Sequence, residues 1–323
     1  MFIYLIAFSV SLITTCGLVP IIKRIGKKYS ILDTPNSRKH QKDFIVRIGG
    51  IAIFLGFCIS ILFSLFLFDF AFDLLQDKFL LIFCLISSAF FFFIGLLDDI
   101  FELSALVRLI LQILIVCFLW SKGLGINFIH FNNNFNYEVF PLISLIITIL
   151  WFVGITNSIN WIDGLDGLSS GIALIITSSM FILAFQTNLN SIALLSIATA
   201  GCSLGFLFYN FLPANIYMGD CGSNFLGSLL AYICIIPFLE NYSNEQYVYQ
   251  NFQIFYPIFI LGIPFLDMPR VILTRIINKR SPFLPDRAHI HHILINLGFG
   301  YKKTVLYLYS LQILLIFSYF IFI

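Results

Sequence analysis

Five stretches of this chain carry side chains that could do chemistry. Asp98 and Asp99 are adjacent at the end of an apolar run that reads FFFIGLLDD. Neighbouring carboxylates repel, which raises the proton affinity of one and suits it as a proton acceptor, or lets the pair bind a cation. A solvated end to an apolar run is the plainer alternative. In NSINWIDGLDGL, Asn157, Asn160, Asp163 and Asp166 recur every three residues. A continuing helix would keep neighbouring pairs on one side, whereas Gly164 and Gly167 break it and let a ligand approach the backbone. Four oxygen-bearing side chains with no basic residue among them suit a hard cation and hydrogen bonding. In NFLPANIYMGDCGS, Asp220 follows Gly219, with Tyr217 before it and an apolar run after it. Free N–H groups at a helix start favour phosphate, although an Asp there also serves as a simple N-cap. PDRAHIHH places Arg287 beside His289, His291 and His292. Zinc competes for three close histidines, but no cysteine or fourth ligand adjoins them, so an anion such as a diphosphate fits better. The basic stretch from LDTPNSRKH to RIGG holds Arg38, His40 and Arg47. It carries Pro and Gly turn signals, and anionic lipid would attract it in any membrane protein.

The elements that must position these residues follow from composition. Of 323 residues, 60% are hydrophobic, 39 are Phe and 11% are charged, against about 25% charged in a typical soluble domain. An ordinary soluble globule, a fibrous protein and a disordered chain are excluded. A net charge of +2 supplies no broad basic field, so no nucleic-acid partner is expected. The seven cysteines are scattered without a CxxC pair, which argues against a disulfide scaffold. The composition is that of an all-α integral membrane protein.

Ten runs approach the length of about 20 apolar residues that a bilayer-crossing helix needs: 2–22, 49–68, 79–97, 106–120, 141–158, 168–187, 192–212, 225–239, 252–268 and 304–322. Lys and Arg follow the first run rather than precede it, which predicts a retained helix with its N-terminus outside. Alternation then gives an N-out, C-out topology that places 16 of the 18 basic residues on the cytoplasmic side. Ten of the 16 acids and four of the five histidines fall on that side as well. The chain reads as a single polytopic domain over 1–323, with active-site loops at about 23–48, 98–108, 157–167, 210–224 and 269–303.

Carboxylates at the rim of apolar spans are expensive and usually functional. Combined with amides, basic groups, imidazoles and one aromatic, they suit Mg²⁺ held by a carboxylate or two and by substrate phosphates. Phosphoryl transfer asks a protein mainly for positioned groups and neutralised charge. The expectation is a phosphotransferase that brings a soluble phosphorylated substrate to a lipid phosphate.

The stretches LDTPNSRKH with RIGG, GLLDD, NSINWIDGLDGL, NFLPANIYMGDCGS and SPFLPDRAHIHH, in this order, resemble the polyprenyl-phosphate N-acetylhexosamine-1-phosphate transferases, the superfamily of WecA, TagO and MraY. The resemblance covers nearly the whole chain and implies the ten-helix MraY-like fold. It implies a Mg²⁺-dependent reaction, with Mn²⁺ as a substitute, at the cytoplasmic face of a bacterial cytoplasmic membrane. A UDP-N-acetylhexosamine, foremost UDP-GlcNAc, would give its sugar-1-phosphate to undecaprenyl phosphate and release UMP, which initiates a cell-surface glycan. By the same resemblance Asp220 holds the metal with Asn160, Asp98 or Asp99 handles the lipid phosphate, and Asp163 supports the catalytic geometry. Leu165, Asp166, Asn210 and Tyr217 match nucleotide-binding positions. His289, His291, His292 and Arg287 would face the diphosphate or sugar, and Arg38, His40, Arg47 and Arg108 are candidates for anion contacts. The family also admits a homodimer.

Departures from the pattern favour the WecA/TagO branch. The histidine stretch reads HIHHI rather than three consecutive histidines and an acid, and the early loop reads VRIGG rather than TPTMGG. Phe44, Ile45 and Val46 replace the prolines common before RIGG in that branch, and Cys221 stands where Thr or Ala is common. The competing readings are an MraY-type enzyme acting on a muramoyl-pentapeptide donor and, more distantly, a secondary transporter. Transporters place their charged sites near the bilayer midplane within repeated halves, and no repeat is visible here.

Overall fold

A computed structural model describes residues 1–33, 44–67, 78–132, 135–235, 256–279, 281 and 288–322. Apart from two small two-stranded sheets, the fold is helical. The helices are α1 (Phe2–Lys28), α2 (Gly50–Leu67), α3 (Lys78–Phe101), α4 (Ala105–Ser121), α5 (Pro141–Ile162), α6 (Leu168–Gln186), α7 (Asn190–Asn210), α8 (Gly219–Ile235), α9 (Tyr256–Ile277), the short α10 (Ile290–Asn296) and α11 (Tyr301–Phe322). Strands β1 (Leu32–Asp33) and β2 (Ile45–Val46) pair antiparallel, as do β3 (Phe128–Asn132) and β4 (Phe135–Glu138).

Seven of the helices are long and apolar enough to cross a membrane: α1, α2, α3 from Leu81, α5, α6, α7 and α11 to Ile321. Helices α4 and α8 have 17 residues each, and α9 carries Asp267, Arg270 and Arg275. Large apolar side chains such as Phe66, Leu114, Leu150, Phe208 and Leu314 face outward. That pattern belongs to a multi-pass membrane protein, whose solvent is lipid and whose helices satisfy their own backbone groups.

The ends of the helices differ from the hydropathy boundaries in a consistent way. Helix α3 runs on through Asp98 and Asp99, α5 through Asn157 and Asn160, and α8 begins at Gly219 with Asp220 in its first turn. Polar side chains at these ends bond to neighbouring helices, so the helix continues where hydropathy stops. Asp163 caps the C-terminus of α5, and Gly167, at φ 78°, precedes α6. The break predicted from Gly164 and Gly167 is where the chain turns.

Helix α8 is central. Every residue from Cys221 to Ile235 is buried, among contacts with α2, α3 and α5. A helix surrounded on all sides is expected to be apolar all round. Close approach rests on small residues, as in membrane bundles generally. A Cβ on Gly227 would sit 2.7 Å from the Thr156 backbone of α5, and one on Gly95 of α3 only 2.1 Å from the Asp220 carbonyl oxygen. Helix α9 breaks at Gly262, where φ is 32°. Gln312 of α11 mends the break, accepting from the Ile263 N–H at 3.0 Å and donating to the Ile260 carbonyl at 2.8 Å.

Candidate active site

The predicted chemistry gathers at one end of the bundle, at the C-terminal ends of α3, α5, α7 and α9 and the N-terminal ends of α4, α6 and α8. The β2–α2 segment joins them. The Tyr217 N–H donates to the Val46 carbonyl at 2.8 Å, the Gly49 N–H to the Tyr217 carbonyl at 2.9 Å, and the Gly50 N–H to the Met218 carbonyl at 2.7 Å. RIGG and YMGD are therefore two halves of one ladder, and the glycines let the backbones touch. Gly219 has φ 74°, and a Cβ there would lie 1.8 Å from the Arg47 carbonyl oxygen, so no larger residue fits.

Asp98 and Asp99 have separate tasks. Asp99 is 3% exposed, and its Oδ1 and Oδ2 accept the N–H groups of Asp220 and Cys221 at 3.0 and 2.9 Å. It caps the free N-terminus of α8 from another helix, where a carboxylate is electrostatically favoured. Its own carbonyl receives Arg47 Nη2 at 2.6 Å and Nε at 3.1 Å. Arg47, a sequence candidate for an anion contact, thus closes the C-terminal end of α3 and adds a 3.6 Å ion pair with Glu102. Asp98 accepts from Arg108 Nη1 at 2.5 Å, and the same nitrogen lies 3.6 Å from Asp220 Oδ2. One guanidinium spans two carboxylates.

On the other side of Asp220, the Asn160 amide donates to Oδ1 and, at 2.9 Å, to Ser223 Oγ. Asp163 accepts from the Ser169 hydroxyl. Withdrawal from water, with Asp220, Asp99 and Asp166 nearby, pushes the Asp163 carboxyl up to about 8 although the Ser169 bond favours its charged form. Asp166 accepts from the Ala214 N–H at 2.8 Å, and burial raises its carboxyl too. Asn210 is 2% exposed. It accepts from the Gly167 N–H at 3.0 Å and donates to the Ile216 carbonyl at 2.9 Å, stapling the 163–167 turn to the 211–217 loop. Tyr217 lies within electrostatic reach of Asp166, Asp33 and Asp163, and burial followed by those charges raises its phenol. Leu165 sits half-buried in the same turn.

The histidines form a third edge. His289 Nδ1 lies 2.9 Å from Asp267 Oδ2, and Asp267 Oδ1 accepts from Arg270 Nη2 at 2.6 Å and the Ile290 N–H at 3.0 Å. The Trp161 ring meets His289 edge-on at 5.6 Å and carries Arg275 over its face at 5.0 Å. His291 stacks on His289 at 5.6 Å, touches His292 at 4.3 Å, and lies against Gly164, next to Asp163. Burial, then His292 and His289, lower His291 to about 3. Its Nδ1 is buried without a hydrogen bond. Arg38, His40 and Arg287 lie outside the described residues.

Several members of this site were not singled out from sequence: Asp267, Arg270, Ser169, Ser223 and Trp161. Asp267 and Arg270 had a visible signal, an acid and a base three residues apart at the end of an apolar run. Ser169 and Ser223 had none.

Comparison with known proteins shows the family. Residues 81–237 match the family described as "Glycosyl transferase family 4". A Bacillus subtilis protein named "Probable undecaprenyl-phosphate N-acetylglucosaminyl 1-phosphate transferase" is 36% identical over 306 residues, covering 94% of this chain and 80% of the relative. The chain belongs to glycosyl transferase family 4. An undecaprenyl-phosphate alpha-N-acetylglucosaminyl 1-phosphate transferase of Thermotoga maritima is 30% identical over 301 residues, 92% of this chain and 84% of the relative. A decaprenyl-phosphate N-acetylglucosaminephosphotransferase of Mycobacterium tuberculosis is 28% identical over 325 residues, 94% and 78% of the two chains. The family match runs from α3 to just past α8, the stretch that holds Asp98, Asp99, Arg108, Asn160, Asp163 and Asp220.

Among the described residues no group of three or more His, Cys, Asp or Glu could hold a metal alone. The donor set around Asp220 consists of oxygens and amides, and the Cys221 sulfur turns away toward the Met218 carbonyl at 3.6 Å. Such a set fits a hard ion that completes its shell with water and phosphate oxygens. Asp220 and Asn160 would hold it.

Proposed function

We propose that this protein transfers N-acetylglucosamine-1-phosphate from UDP-N-acetylglucosamine to undecaprenyl phosphate, releases UMP, and so initiates a cell-surface glycan. The observation that carries this reading is the convergence of Asp98, Arg108, Asn160 and Asp163 around Asp220, at the ends of apolar helices. The relatives named above supply the sugar and the lipid class; the donor nucleotide rests on the motif resemblance. The distribution of Lys and Arg supports ten spans with both termini outside and a site that faces the cytoplasm.

In the reaction an acceptor phosphate oxygen bonds to the phosphorus of the sugar-1-phosphate as the bond from that phosphorus to UMP breaks. Arg108, shared by Asp98 and Asp220, is placed to receive negative charge that moves between donor and acceptor. Asp98 is the better candidate to take a proton from the lipid phosphate, because both Asp99 oxygens already hold helix N–H groups. Asp163 supports the charge balance beside Asp220, and the turn stapled by Asn210 presents Leu165, Asp166 and Tyr217 to the uridine. His291 and His292 face the diphosphate and sugar. Mg²⁺ bound by Asp220 and Asn160 would neutralise the diphosphate.

The test uses purified protein, a polyprenyl phosphate and a panel of UDP-sugars, with UMP release as the readout. UDP-GlcNAc is expected to support turnover that EDTA abolishes and added Mg²⁺ or Mn²⁺ restores. Asp220→Ala should abolish transfer without loss of folding or membrane insertion. Near-normal turnover by that variant overturns the metal assignment, and UMP release only with another donor overturns the sugar.

A further inference from the structure

Below Arg108, Asn160 and Asp220 lies a second row of side chains. Gln112 follows Arg108 by four residues on α4, Asn157 precedes Asn160 by three on α5, and Asn224 follows Asp220 by four on α8. Each is about one helical turn deeper in the bundle than its partner. Gln112 is 1% exposed and Asn224 2%. The Asn157 amide donates at 2.8 Å to Gln112 Oε1, and Gln112 Nε2 donates at 2.8 Å to Asn224 Oδ1. Asn224 Nδ2 donates at 2.8 Å to the carbonyl oxygen of Asp220 itself. The chain has one polarity throughout. Turning any amide over would set donor against donor and acceptor against acceptor.

Each end of this chain is tied to its own helix. Asn157 also donates to the Val153 carbonyl at 2.8 Å, and Asn224 holds Asp220 in the first turn of α8. Gln112 joins the two from a third helix. Close packing of α5 on α8 is already secured by Gly227 against Thr156. An apolar residue at 112 would fill the space, and buried amides in a membrane bundle cost free energy unless every polar atom is matched. What three matched amides add is orientation, since their hydrogen bonds tolerate little rotation of one helix against another.

We propose that Gln112 is a positioning residue that fixes Asn160 and Asp220 relative to each other and thereby sets the affinity of the site for its divalent ion. The inference rests on the assignment of those two residues as metal ligands. Residues behind metal ligands typically change affinity or activity about 10-fold to 100-fold when removed.

The experiment is Mn²⁺ titration followed by electron paramagnetic resonance, on full-length protein in lipid nanodiscs without donor or acceptor. Melting temperatures are measured in parallel in EDTA. Gln112→Met should weaken Mn²⁺ binding about ten-fold and raise the half-saturating Mg²⁺ for turnover by the same factor. Because that variant leaves the buried Asn224 Oδ1 and the half-buried Asn157 amide each short of a partner, the triple variant Gln112→Met, Asn157→Leu, Asn224→Leu removes all three polar groups together. It should melt near the wild-type temperature yet still bind Mn²⁺ weakly. Wild-type Mn²⁺ affinity in either variant overturns the role of Gln112, whatever the melting temperature. Asp220→Ala separates the two levels. Wild-type affinity in Asp220→Ala sinks the metal assignment and this inference with it; lost affinity there beside intact affinity in Gln112→Met sinks this inference alone.

Discussion

The carboxylate of Asp99 on α3 accepts the backbone N–H of Asp220 at 3.0 Å, so the residue assigned to the metal is held at its main chain by a residue 121 positions earlier. The two acids of GLLDD are therefore not equivalent. One builds the start of α8, and the other faces Arg108.

That division predicts opposite phenotypes. Asp99→Ala leaves the buried Cys221 N–H and the part-buried Asp220 N–H without that acceptor and should cost about 1–3 kcal/mol, lowering the melting temperature together with activity. Asp98→Asn should lose transfer while melting close to wild type, because Arg108 keeps Asp220 as a partner. Thermal unfolding followed beside UMP release distinguishes them, and equal destabilisation by both would refute the division.

Asp267 answers for three groups at once, His289, Arg270 and the Ile290 N–H. Removing one partner of a buried, hydrogen-bonded charge set costs about 3–5 kcal/mol. Asp267→Ala is expected to raise the donor KM more than it lowers kcat, because it unseats the histidine segment and leaves Asp98 and Arg108 in place. Steady-state kinetics with varied UDP-sugar measures the split.

His291 is lowered from 6.5 to about 3 by burial and by its two neighbouring histidines. It is therefore neutral throughout pH 5–9, and nitrogen-labelled histidine spectra should show one ring that does not titrate there. The unfolded chain takes up a proton near 6.5 that native His291 refuses. Stability should thus fall as pH drops below about 6.5, and His291→Gln should flatten part of that fall. A His291 ring that titrates near pH 6.5 in the folded protein would contradict the burial argument.

Gly95→Ala tests how tightly α3 and α8 meet. The added methyl carbon would lie 2.1 Å from the Asp220 carbonyl oxygen, which is backbone and cannot swing away. The variant should either fail to accumulate or bind Mn²⁺ weakly with Asp220 displaced. Wild-type yield and affinity together would show that the interface yields.

Much of this protein was legible along the chain. Hydropathy located the helices because lipid requires long apolar segments, and the acids and amides at their ends stood out because such groups are costly there. The three-residue spacing from Asn157 to Asp166 and the glycines after it marked the end of α5. The motifs carried the family. Gln112 was visible only as a polar letter within an apolar run, with nothing nearby to say what it met.

Which residue does which task was decided by contacts between distant segments. Asp98 and Asp99 are neighbours in sequence, yet successive helical side chains point about 100° apart, so one meets α8 and the other Arg108. Arg47 reads as an anion contact, and the fold also sets its guanidinium on the Asp99 carbonyl; Asn210 reads as a ligand, and the fold also ties both ends of its amide to backbone. Residue types and their order determined the membrane setting, the family and the chemistry on offer. Only the packing of α3, α4, α5 and α8 decided which groups are free to use it, because a hydrogen bond depends on distance and direction that no local pattern encodes.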